Sequence, residues 1–255
     1  MTADIRIERL TKSYPIDGGH VEVLRGLDLT VAAHTFTVLL GKSGCGKTTI
    51  LRLLAGLEKP DGGRIVFPPG EKRGIVFQEP RLMPWLTVEE NIAFSGKRRA
   101  MAGRVRELIG LMGLGGFEKA YPSQLSGGMQ QRTAIARVLA YDPSLILMDE
   151  PFAALDYFTR ETMQKETIRV FRQSGKTIVF VTHSIDEALA LGQKICIVSD
   201  GKVTAAYDLT GQDYPRSLLG PEMVEYKRRI LRHLDPSRSG GGSGPGISET
   251  GGNVV

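Results

Sequence analysis

TFTVLLGKSGCGKTTILRLLAGL, residues 35–57, has the pattern of a strand, a glycine-rich loop and a helix in succession. The apolar run TFTVLL is typical of a buried central strand, and TTILRLLAGL has the spacing of a helix that ends at Gly56. Between them, GKSGCGKTT matches the G-x-x-x-x-G-K-[ST] pattern of loops that surround phosphate groups with backbone N–H groups. The stretch therefore predicts a nucleotide-binding α/β core.

Each part of this loop has a chemical role in phosphate binding. Its glycines let backbone N–H groups turn inward, Lys47 can reach the β- and γ-phosphate oxygens, and the Thr48 hydroxyl can ligate Mg²⁺. A plain glycine turn before a helix would leave the Lys-Thr pair unexplained. We therefore predict nucleotide contacts from the whole loop: Gly41, Lys42, Ser43, Gly44, Cys45, Gly46, Lys47, Thr48 and Thr49.

Two adjacent carboxylates follow a second apolar strand in LILMDEP, residues 145–151. Carboxylates at the end of a buried strand are costly unless a cation neutralises them. Capping of a following helix by Asp149 or Glu150, without a metal, is the structural alternative. Because a phosphate-binding loop lies upstream, the sequence favours a site for a metal and a nucleotide.

The segments around these motifs alternate between strand and helix patterns. From Ile5 the chain alternates in the manner of antiparallel strands, whereas residues 82–140 carry helix patterns, including a capping box with Thr87 as N-cap and Glu90 three residues later. LILMDE, KTIVFVTH and KICIVSDGKV are then predicted as strands separated by helices. We predict a helical lobe inserted into one parallel α/β core.

A third motif, LSGGMQQR at residues 125–132, lies between the loop and the paired carboxylates. Together the three motifs resemble the ATP-binding subunits of ABC transporters over about residues 5–208, in particular those of nitrate, sulfonate and taurine importers. The resemblance implies an α/β fold with a RecA-like P-loop NTPase core, an N-terminal antiparallel β subdomain and an inserted α-helical subdomain. The expected divisions are an ATPase domain at 1–220 with its helical subdomain at about 82–140, a basic amphipathic segment at 221–236, and a flexible Gly/Ser-rich tail at 237–255.

The resemblance assigns roles in ATP hydrolysis to residues at the ends of predicted strands. Glu150 matches the general base that polarises the attacking water, and His183 matches the switch histidine that contacts the γ-phosphate. Gln78 matches the glutamine that approaches both Mg²⁺ and that water. The implied catalytic residues are Lys47, Gln78, Glu150 and His183, and the implied Mg²⁺ ligands are Thr48, Gln78 and Asp149.

ABC ATPases work as head-to-tail dimers, so the resemblance also implies a second ATP-binding subunit, which we expect to be another copy of this chain. The signature residues Ser126, Gly127 and Gly128, which precede the helix MQQRTAIARVLA, would cover the γ-phosphate bound to the P-loop of that subunit. Asp156 matches a loop that crosses the dimer interface. Tyr14 matches the aromatic residue that stacks on adenine, although the run PIDGGH after it is unusual for the family.

EPRLMPWLTVEENI, residues 79–92, follows Gln78 directly. In the family this segment forms much of the groove that receives a helix of the integral-membrane permease subunit, and a Leu-x-Pro-Trp element recurs in the nitrate, sulfonate and taurine branch. We therefore expect permease contacts from Leu82, Met83 and Trp85. The alternative is that Trp85 packs inside the helical lobe.

The bulk composition predicts a globular chain outside the membrane. Its 255 residues are 41% hydrophobic and 24% charged, and apolar runs such as TIVFV are far shorter than the roughly 20 residues that span a bilayer. MTADIRIERL lacks the apolar core and cleavage site of a signal peptide, so we expect a peripheral location on the cytoplasmic face of the cell membrane. Cys45 and Cys196 have no partners at ligand spacing and are predicted to be free thiols.

The net charge of +5 does not predict nucleic-acid binding, because the basic residues are scattered and no aromatic pattern accompanies them. Local basic clusters occur at residues 97–99 and in PEMVEYKRRILRHL. A solvated surface, or contact with anionic lipid head groups, explains such clusters. No nucleic-acid partner is expected.

Three functions are compatible with a nucleotide-binding core of this kind. The favoured one is an ATPase that energises import of a small anion such as nitrate, an alkanesulfonate or taurine, with permease subunits and an extracytoplasmic solute-binding protein as partners. A soluble ABC ATPase not coupled to transport is the alternative, although the chain lacks the long insertions or second cassette usual in such proteins. A regulatory module without hydrolysis is disfavoured because Lys47, Glu150 and His183 are intact.

Overall fold

The structure, a computed structural model, describes residues 3–95, 101–153 and 155–235. Its strands are β1 (Ile5–Ile16), β2 (Gly19–Val31), β3 (Phe36–Leu40), β4 (Gly62–Val66), β5 (Arg73–Val76), β6 (Leu145–Asp149), β7 (Thr177–Thr182), β8 (Lys194–Ser199) and β9 (Lys202–Asp208). Its α-helices are α1 (Lys47–Ala55), α2 (Val88–Ile92), α3 (Ala102–Leu111), α4 (Gly127–Ala140), α5 (Tyr157–Ser174), α6 (Ile185–Leu191) and α7 (Pro221–Leu234). The predicted tail at 237–255 and the basic cluster at 97–99 lie outside the described residues.

Two sheets organise these strands. The N-terminal sheet is antiparallel with the order β2-β1-β4, and the larger sheet has the order β5-β6-β7-β3-β8-β9. Strands of the larger sheet run parallel except β9, which pairs antiparallel with β8. The run KICIVSDGKV, predicted as a strand, is therefore a hairpin that turns at Asp200 and Gly201. Gly201 has a φ of +72°, a conformation that glycine adopts without steric cost.

The central strands are buried on both faces, which explains why their sequences are continuous apolar runs. On one face, Leu39 and Leu147 pack with α1 and with the N-terminal sheet. On the other face, Leu40 and Met148 belong to a core that includes residues from α4, α5, α6 and α7. The C-terminal helix α7 contributes the buried Ile230 to this second core.

The helices between β5 and β6 form the lobe that the sequence predicts. Its start is fixed by the expected capping box, in which the backbone N–H of Thr87 donates to the Glu90 carboxylate at 2.8 Å and the backbone N–H of Glu90 donates to Thr87 Oγ1 at 3.4 Å. Helix α4 packs against α2 and α3 and also reaches β5 of the sheet. The lobe is therefore joined to the core through α4.

The register of the parallel strands brings their carboxyl ends to one edge. Leu40 lies opposite Thr182, and Asp149 lies opposite Val181. Val76, the last residue of β5, lies opposite Met148. The loops that follow β3, β5, β6 and β7 consequently meet at this edge, which is where open α/β sheets bind ligands.

Candidate active site

The P-loop turns sharply from β3 into α1, and glycines make the turn sterically accessible. Gly46 is the N-cap of α1 with a φ of +105°. A Cβ atom added at Gly41 would lie 2.3 Å from the carbonyl oxygen of Val198, which is closer than real contacts allow. At Gly41 and Gly46 the loop therefore packs too tightly against β8 and β2 for a larger residue.

Lys47 is held inside this loop. Its side chain is 4% exposed, and its Nζ donates hydrogen bonds to the carbonyl oxygens of Gly41 at 2.8 Å and Lys42 at 2.9 Å. A buried ammonium group requires such partners because the loss of hydration is costly. The amine is thus positioned on the concave side of the loop.

Thr48 and Asp149 connect the P-loop to the end of β6. Thr48 Oγ1 donates to Asp149 Oδ1 at 3.0 Å. Burial raises the pKa of the Asp149 carboxyl, the Thr48 hydrogen bond opposes that shift, and the neighbouring Glu150 charge adds to it. Two oxygen atoms suited to a hard cation therefore lie side by side.

Glu150 follows Asp149 in an unfavourable backbone conformation. Its φ is +43°, which is rare for a residue with a side chain. Its backbone N–H donates to Val181 O at 3.0 Å, and its Oε2 lies 2.8 Å from His183 Nδ1 at the end of β7. Strained residues of this kind are concentrated at active sites. The carboxylate is turned toward the histidine across the sheet edge.

Gln78 and Tyr14 occupy the borders of this group. Gln78 lies two positions beyond the end of β5, with an exposed side chain, and the preceding carbonyl of Phe77 accepts a hydrogen bond from Gln131 Nε2 at 3.3 Å. Tyr14 is half-buried in β1, and its hydroxyl donates to the Glu58 carboxylate. Burial and the Glu58 hydrogen bond both raise the pKa of Tyr14. The unusual run PIDGGH forms a tight β1–β2 hairpin in which Ile16 pairs with Gly19.

The signature residues lie at the N-terminus of α4. Ser126 is the exposed N-cap of α4, and its Oγ accepts from the backbone N–H of Met129 at 3.3 Å. Gly127 and Gly128 are the first residues of α4, whereas the sequence prediction placed them before the helix. Among the described residues, no hydrogen bond joins Ser126 to the P-loop, Glu150 or His183.

Asp156 caps the next helix close to this turn. Its side chain accepts from the backbone N–H of Thr159 at 3.0 Å, and this hydrogen bonding holds the pKa of Asp156 below its usual range. A Cβ atom on Gly128 would lie 2.9 Å from Thr159 Cγ2. The start of α5 therefore lies against the signature turn.

Trp85 is 69% exposed, so the alternative that it packs inside the lobe is wrong. Leu82 and Met83 are half-buried beside it. The loop that carries Trp85 is fixed by Asn91, a fully buried residue of α2 whose Nδ2 donates to the carbonyl oxygens of Met83, Leu86 and Thr87 at 3.2, 2.9 and 3.1 Å. The loop that presents this apolar surface is anchored by the buried Asn91 side chain.

Arg137 of α4 holds the neighbouring segment. Its guanidinium donates to the carbonyl oxygens of Arg81 at 2.9 Å and Pro80 at 3.2 Å. Sequence reasoning did not select Asn91, Gln131 or Arg137. Their partners are backbone carbonyl groups, which leave no recognisable motif.

Both cysteines are free, as predicted. Cys45 is half-buried in the P-loop, whereas Cys196 is buried in β8, where burial raises the pKa of its thiol to about 11. In the part of the chain that the structure describes, no helix combines the length and apolar character needed to cross a bilayer.

The chain is similar to known ATP-binding proteins in sequence and in fold. The sequence profile described as ABC transporter matches residues 24–153. The chain is 41% identical over 247 residues to an uncharacterized ABC transporter ATP-binding protein of Methanocaldococcus jannaschii, covering 92% of each. It is 42% identical over 234 residues to the aliphatic sulfonates import ATP-binding protein SsuB of Bacillus subtilis, covering 88% of this chain and 91% of SsuB.

The fold is also similar to a solved structure of a dimeric ATP-binding cassette in a post-hydrolysis state with ADP and Pi bound. The TM-score is 0.73 at 32% sequence identity, and the match covers 80% of this chain and 98% of that cassette.

Proposed function

The chain belongs to the ABC transporter family of ATP-binding proteins, and we propose that it energises the import of a small anionic solute through a membrane permease. As an ATPase of this family it acts as a dimer and works with integral-membrane subunits. Its similarity to proteins named for aliphatic sulfonate import, over nearly the whole of both chains, favours an aliphatic sulfonate as the solute.

The observation that carries the proposal is the convergence of the ends of β3, β6 and β7. It places the buried Lys47 ammonium, the Thr48–Asp149 pair and the Glu150–His183 pair at one edge of the sheet. We assign the ATP phosphates to the P-loop, where Lys47 would exchange loop carbonyl groups for the stronger charge-assisted bonds to phosphate oxygens. Tyr14 would contact the adenine from β1.

The Thr48–Asp149 pair fits Mg²⁺, because this cation prefers oxygen ligands. Proteins that bind nucleotides supply one or two of these oxygen ligands, and the phosphates supply further ones. Thr48 Oγ1 and Asp149 Oδ1 lie 3.0 Å apart. Gln78 follows β5, which pairs with β6, the strand that ends at Asp149. When bound, Mg²⁺ would neutralise charge on the transferring phosphoryl group. Thr48, Gln78 and Asp149 are the proposed ligands.

For hydrolysis, Glu150 is the proposed general base that orients the attacking water. His183 contacts Glu150 through Nδ1, so Nε2 is the nitrogen available to the γ-phosphate. Gln78 is assigned to the same water from the adjoining strand end. The contact with His183 Nδ1 orients the Glu150 carboxylate along this edge of the sheet.

Two copies of the chain would complete two sites. Ser126, Gly127 and Gly128 form a helix N-terminus, a favourable position for a phosphate group, in which Ser126 and Gly127 are exposed. A head-to-tail dimer would place this turn over the nucleotide of the second subunit. Asp156, next to the turn, would lie at the same interface.

The exposed Trp85 is the proposed contact with the permease. A large aromatic residue on a loop anchored by buried hydrogen bonds has little conformational freedom to lose on binding, and such residues are typical of interface hot spots. Helix α4 holds the loop segment through Arg137 and begins at the signature turn. Helix α4 would therefore transmit a movement of the permease to the proposed nucleotide interface.

An extracytoplasmic solute-binding protein is the further partner that import of this kind requires, and we place the chain itself at the cytoplasmic face of the membrane. An ATPase uncoupled from transport is not favoured, because the similarity extends along nearly the whole length of the import subunits. The exposed Trp85 also fits a membrane-bound partner.

The test is a deletion strain grown with an aliphatic sulfonate, taurine or inorganic sulfate as the single sulfur source. We expect growth on sulfate but not on the sulfonate, with recovery when the intact gene is supplied and no recovery with Lys47→Ala. Normal growth of the deletion strain on aliphatic sulfonates and on taurine would reject the proposed solute. Co-purification with a permease subunit tests the coupling separately.

A further inference from the structure

Glu187 is a buried carboxylate beside the loop that carries His183. It is 6% exposed, and its Oε2 accepts a hydrogen bond from Thr182 Oγ1 at 2.5 Å. Thr182 Oγ1 in turn accepts from the backbone N–H of Ser184 at 3.0 Å. The backbone N–H of Glu187 donates to Ser184 Oγ at 3.3 Å. Both residues that flank His183 are therefore tied to Glu187.

Arg160 of α5 connects this carboxylate to the loop that follows Glu150. Its Nε lies 3.7 Å from Glu187 Oε1, and its Nη2 donates to the carbonyl oxygen of Leu155 at 2.8 Å. Leu155 is a buried residue that lies between Glu150 and Asp156 in the sequence. The loops after β6 and β7 are thus joined twice, directly through Glu150 and His183 and indirectly through Arg160 and Glu187.

Helix capping alone does not explain a carboxylate at this position. Ser184 caps α6, and the exposed Asp186 places a second acidic group in the first turn. Burial of Glu187 raises its pKa, against the Thr182 hydrogen bond and the Arg160 charge, so the ionised form is costly here. A hydrophobic residue would fill the same space without that cost. The contribution of the Glu187–Arg160 pair is therefore to the position of the neighbouring loops and not to the stability of the fold.

We propose that Glu187 and Arg160 are positioning residues that hold the His183 loop in register with Leu155 and with Asp156, the N-cap of α5. Through Thr182 and Ser184, Glu187 fixes the backbone on both sides of His183. Through Leu155, Arg160 fixes the approach to Asp156. The two residues act on the reaction by keeping the His183 imidazole against Glu150, and this inference rests on the roles proposed for those two residues.

The first measurement is NMR of the full chain with isotopically labelled histidine. The sequence contains 4 histidines, so the imidazole signals of His183 can be identified by their loss in His183→Ala. We expect Glu187→Ala and Arg160→Ala to shift the His183 signals. Glu187→Gln keeps an acceptor for Thr182 and loses the charge facing Arg160, so a smaller shift is expected, and this variant serves if the alanine variant does not fold.

Asp186→Ala is the matched control. Asp186 precedes Glu187 on α6, pairs with Lys227 at 2.6 Å, and has a side chain that is 54% exposed. Its loss removes a first-turn acidic group from the same helix, so any effect of the helix dipole appears in both variants. We expect the His183 signals of Asp186→Ala to match those of the unmodified chain.

The second measurement compares the ATPase kcat with the ATP dissociation constant. Misplacement of a catalytic group costs rate rather than ground-state binding, so we expect Glu187→Ala to lower kcat about tenfold or more and to change the ATP dissociation constant by less than about twofold. Adding Glu187→Ala to His183→Ala should lower the residual kcat no further. Independent losses in the double variant would indicate a merely structural role.

The outcomes distinguish the positioning role of Glu187 and Arg160 from the proposed catalytic role of His183. Unchanged His183 signals in Glu187→Gln and Arg160→Ala would overturn the positioning role, whatever the activity. If His183→Ala retains normal kcat while Glu187 variants still shift the His183 signals, the positioning role stands and the proposed catalytic role of His183 fails.

Discussion

His183 Nδ1 and Glu150 Oε2 are 2.8 Å apart across the ends of two neighbouring parallel strands. The strands fix this distance, since Asp149 is in register with Val181 and the backbone N–H of Glu150 bonds to the Val181 carbonyl. The proposed base and the proposed γ-phosphate contact are therefore preorganised within one subunit. The signature turn of the proposed site would come from a second subunit.

Glu150→Gln is expected to abolish most hydrolysis and to preserve ATP binding. The amide keeps the size of the side chain but is not a base, so kcat should fall about 100-fold or more. ATP should then hold the protein as a dimer, visible as earlier elution in size-exclusion chromatography with ATP. Glu161→Gln, on the surface of α5, is the control. Near-normal turnover by Glu150→Gln would remove Glu150 from its proposed role.

Lys47→Ala should weaken nucleotide binding itself. The variant loses a buried ammonium group directed into the P-loop, and a charge-assisted hydrogen bond contributes about 1.5–3 kcal/mol, so the ATP dissociation constant should rise about tenfold or more. Calorimetric titration with ATP measures this. Lys202→Ala, an exposed lysine of β9, should bind as the unmodified chain does. Equal affinity for Lys47→Ala would place the phosphates elsewhere.

The core elements of the site could be predicted because their signals are local. The P-loop lies between a strand and a helix that ends at Gly56, and the capping box joins Thr87 to Glu90, three residues away. Asp149 follows an apolar strand in the sequence, and His183 ends another but was selected by its match to the family. Parallel strands bring such ends to one edge, so their proximity followed from the fold class.

The supporting contacts could not be predicted in the same way. Asn91 and Glu187 lie on helices where polar residues are usually solvated, and their partners come close only when the chain has folded. The exposure of Trp85 depends on how residues 82–86 pack against α2. No periodic pattern in the sequence distinguishes these arrangements from a hydrated surface or a buried aromatic residue.

Trp85→Ala should leave the folded chain nearly unchanged and weaken its association with the permease. Because 69% of the residue is exposed, we expect the melting temperature to change by no more than about 2 °C. Co-purification with the permease should fall at least about tenfold, as for an aromatic hot spot. Pull-down from membranes and thermal unfolding of the isolated chain measure the two effects.

The exposed aromatic residue Tyr141, after α4, provides the control for that experiment. Tyr141→Ala should retain permease binding. Loss of folding in Trp85→Ala would contradict the observed exposure, whereas unchanged permease binding would reject the proposed contact.

The two thiols should react at very different rates. The pKa of Cys196 is raised to about 11 by burial, so at pH 8 only about one part in a thousand is thiolate, the reactive form. Cys45 is half-buried and should be the fast-reacting thiol with a disulfide reagent. Cys45→Ser should remove the fast phase, and unfolding in guanidinium should expose Cys196. Two fast thiols in the folded chain would show that β8 opens readily.

Ser126→Arg tests whether the signature turn closes over a nucleotide of the second subunit. Ser126 is exposed at the N-terminus of α4. Among the described residues, its hydrogen bonds are with the backbone N–H groups of Met129 and Gln130 in the same helix. An arginine there should leave its own P-loop able to bind ATP and should block closure of the dimer. We expect ATP binding within about twofold of normal and ATPase activity reduced at least about tenfold.

Mixing Ser126→Arg with Lys47→Ala makes this test specific to the dimer. If the turn of one subunit faces the P-loop of the other, both lesions fall on one composite site of the mixed dimer and the second site is intact. Where one intact site suffices for hydrolysis, two nearly inactive proteins should recover ATPase activity on mixing, measured as phosphate release against the mixing ratio. Full dimerisation and normal hydrolysis by Ser126→Arg alone would show that this turn does not cover nucleotide across the interface. Recovery on mixing, in contrast, requires sites built from both chains, since neither variant carries an intact pair of elements within its own homodimer.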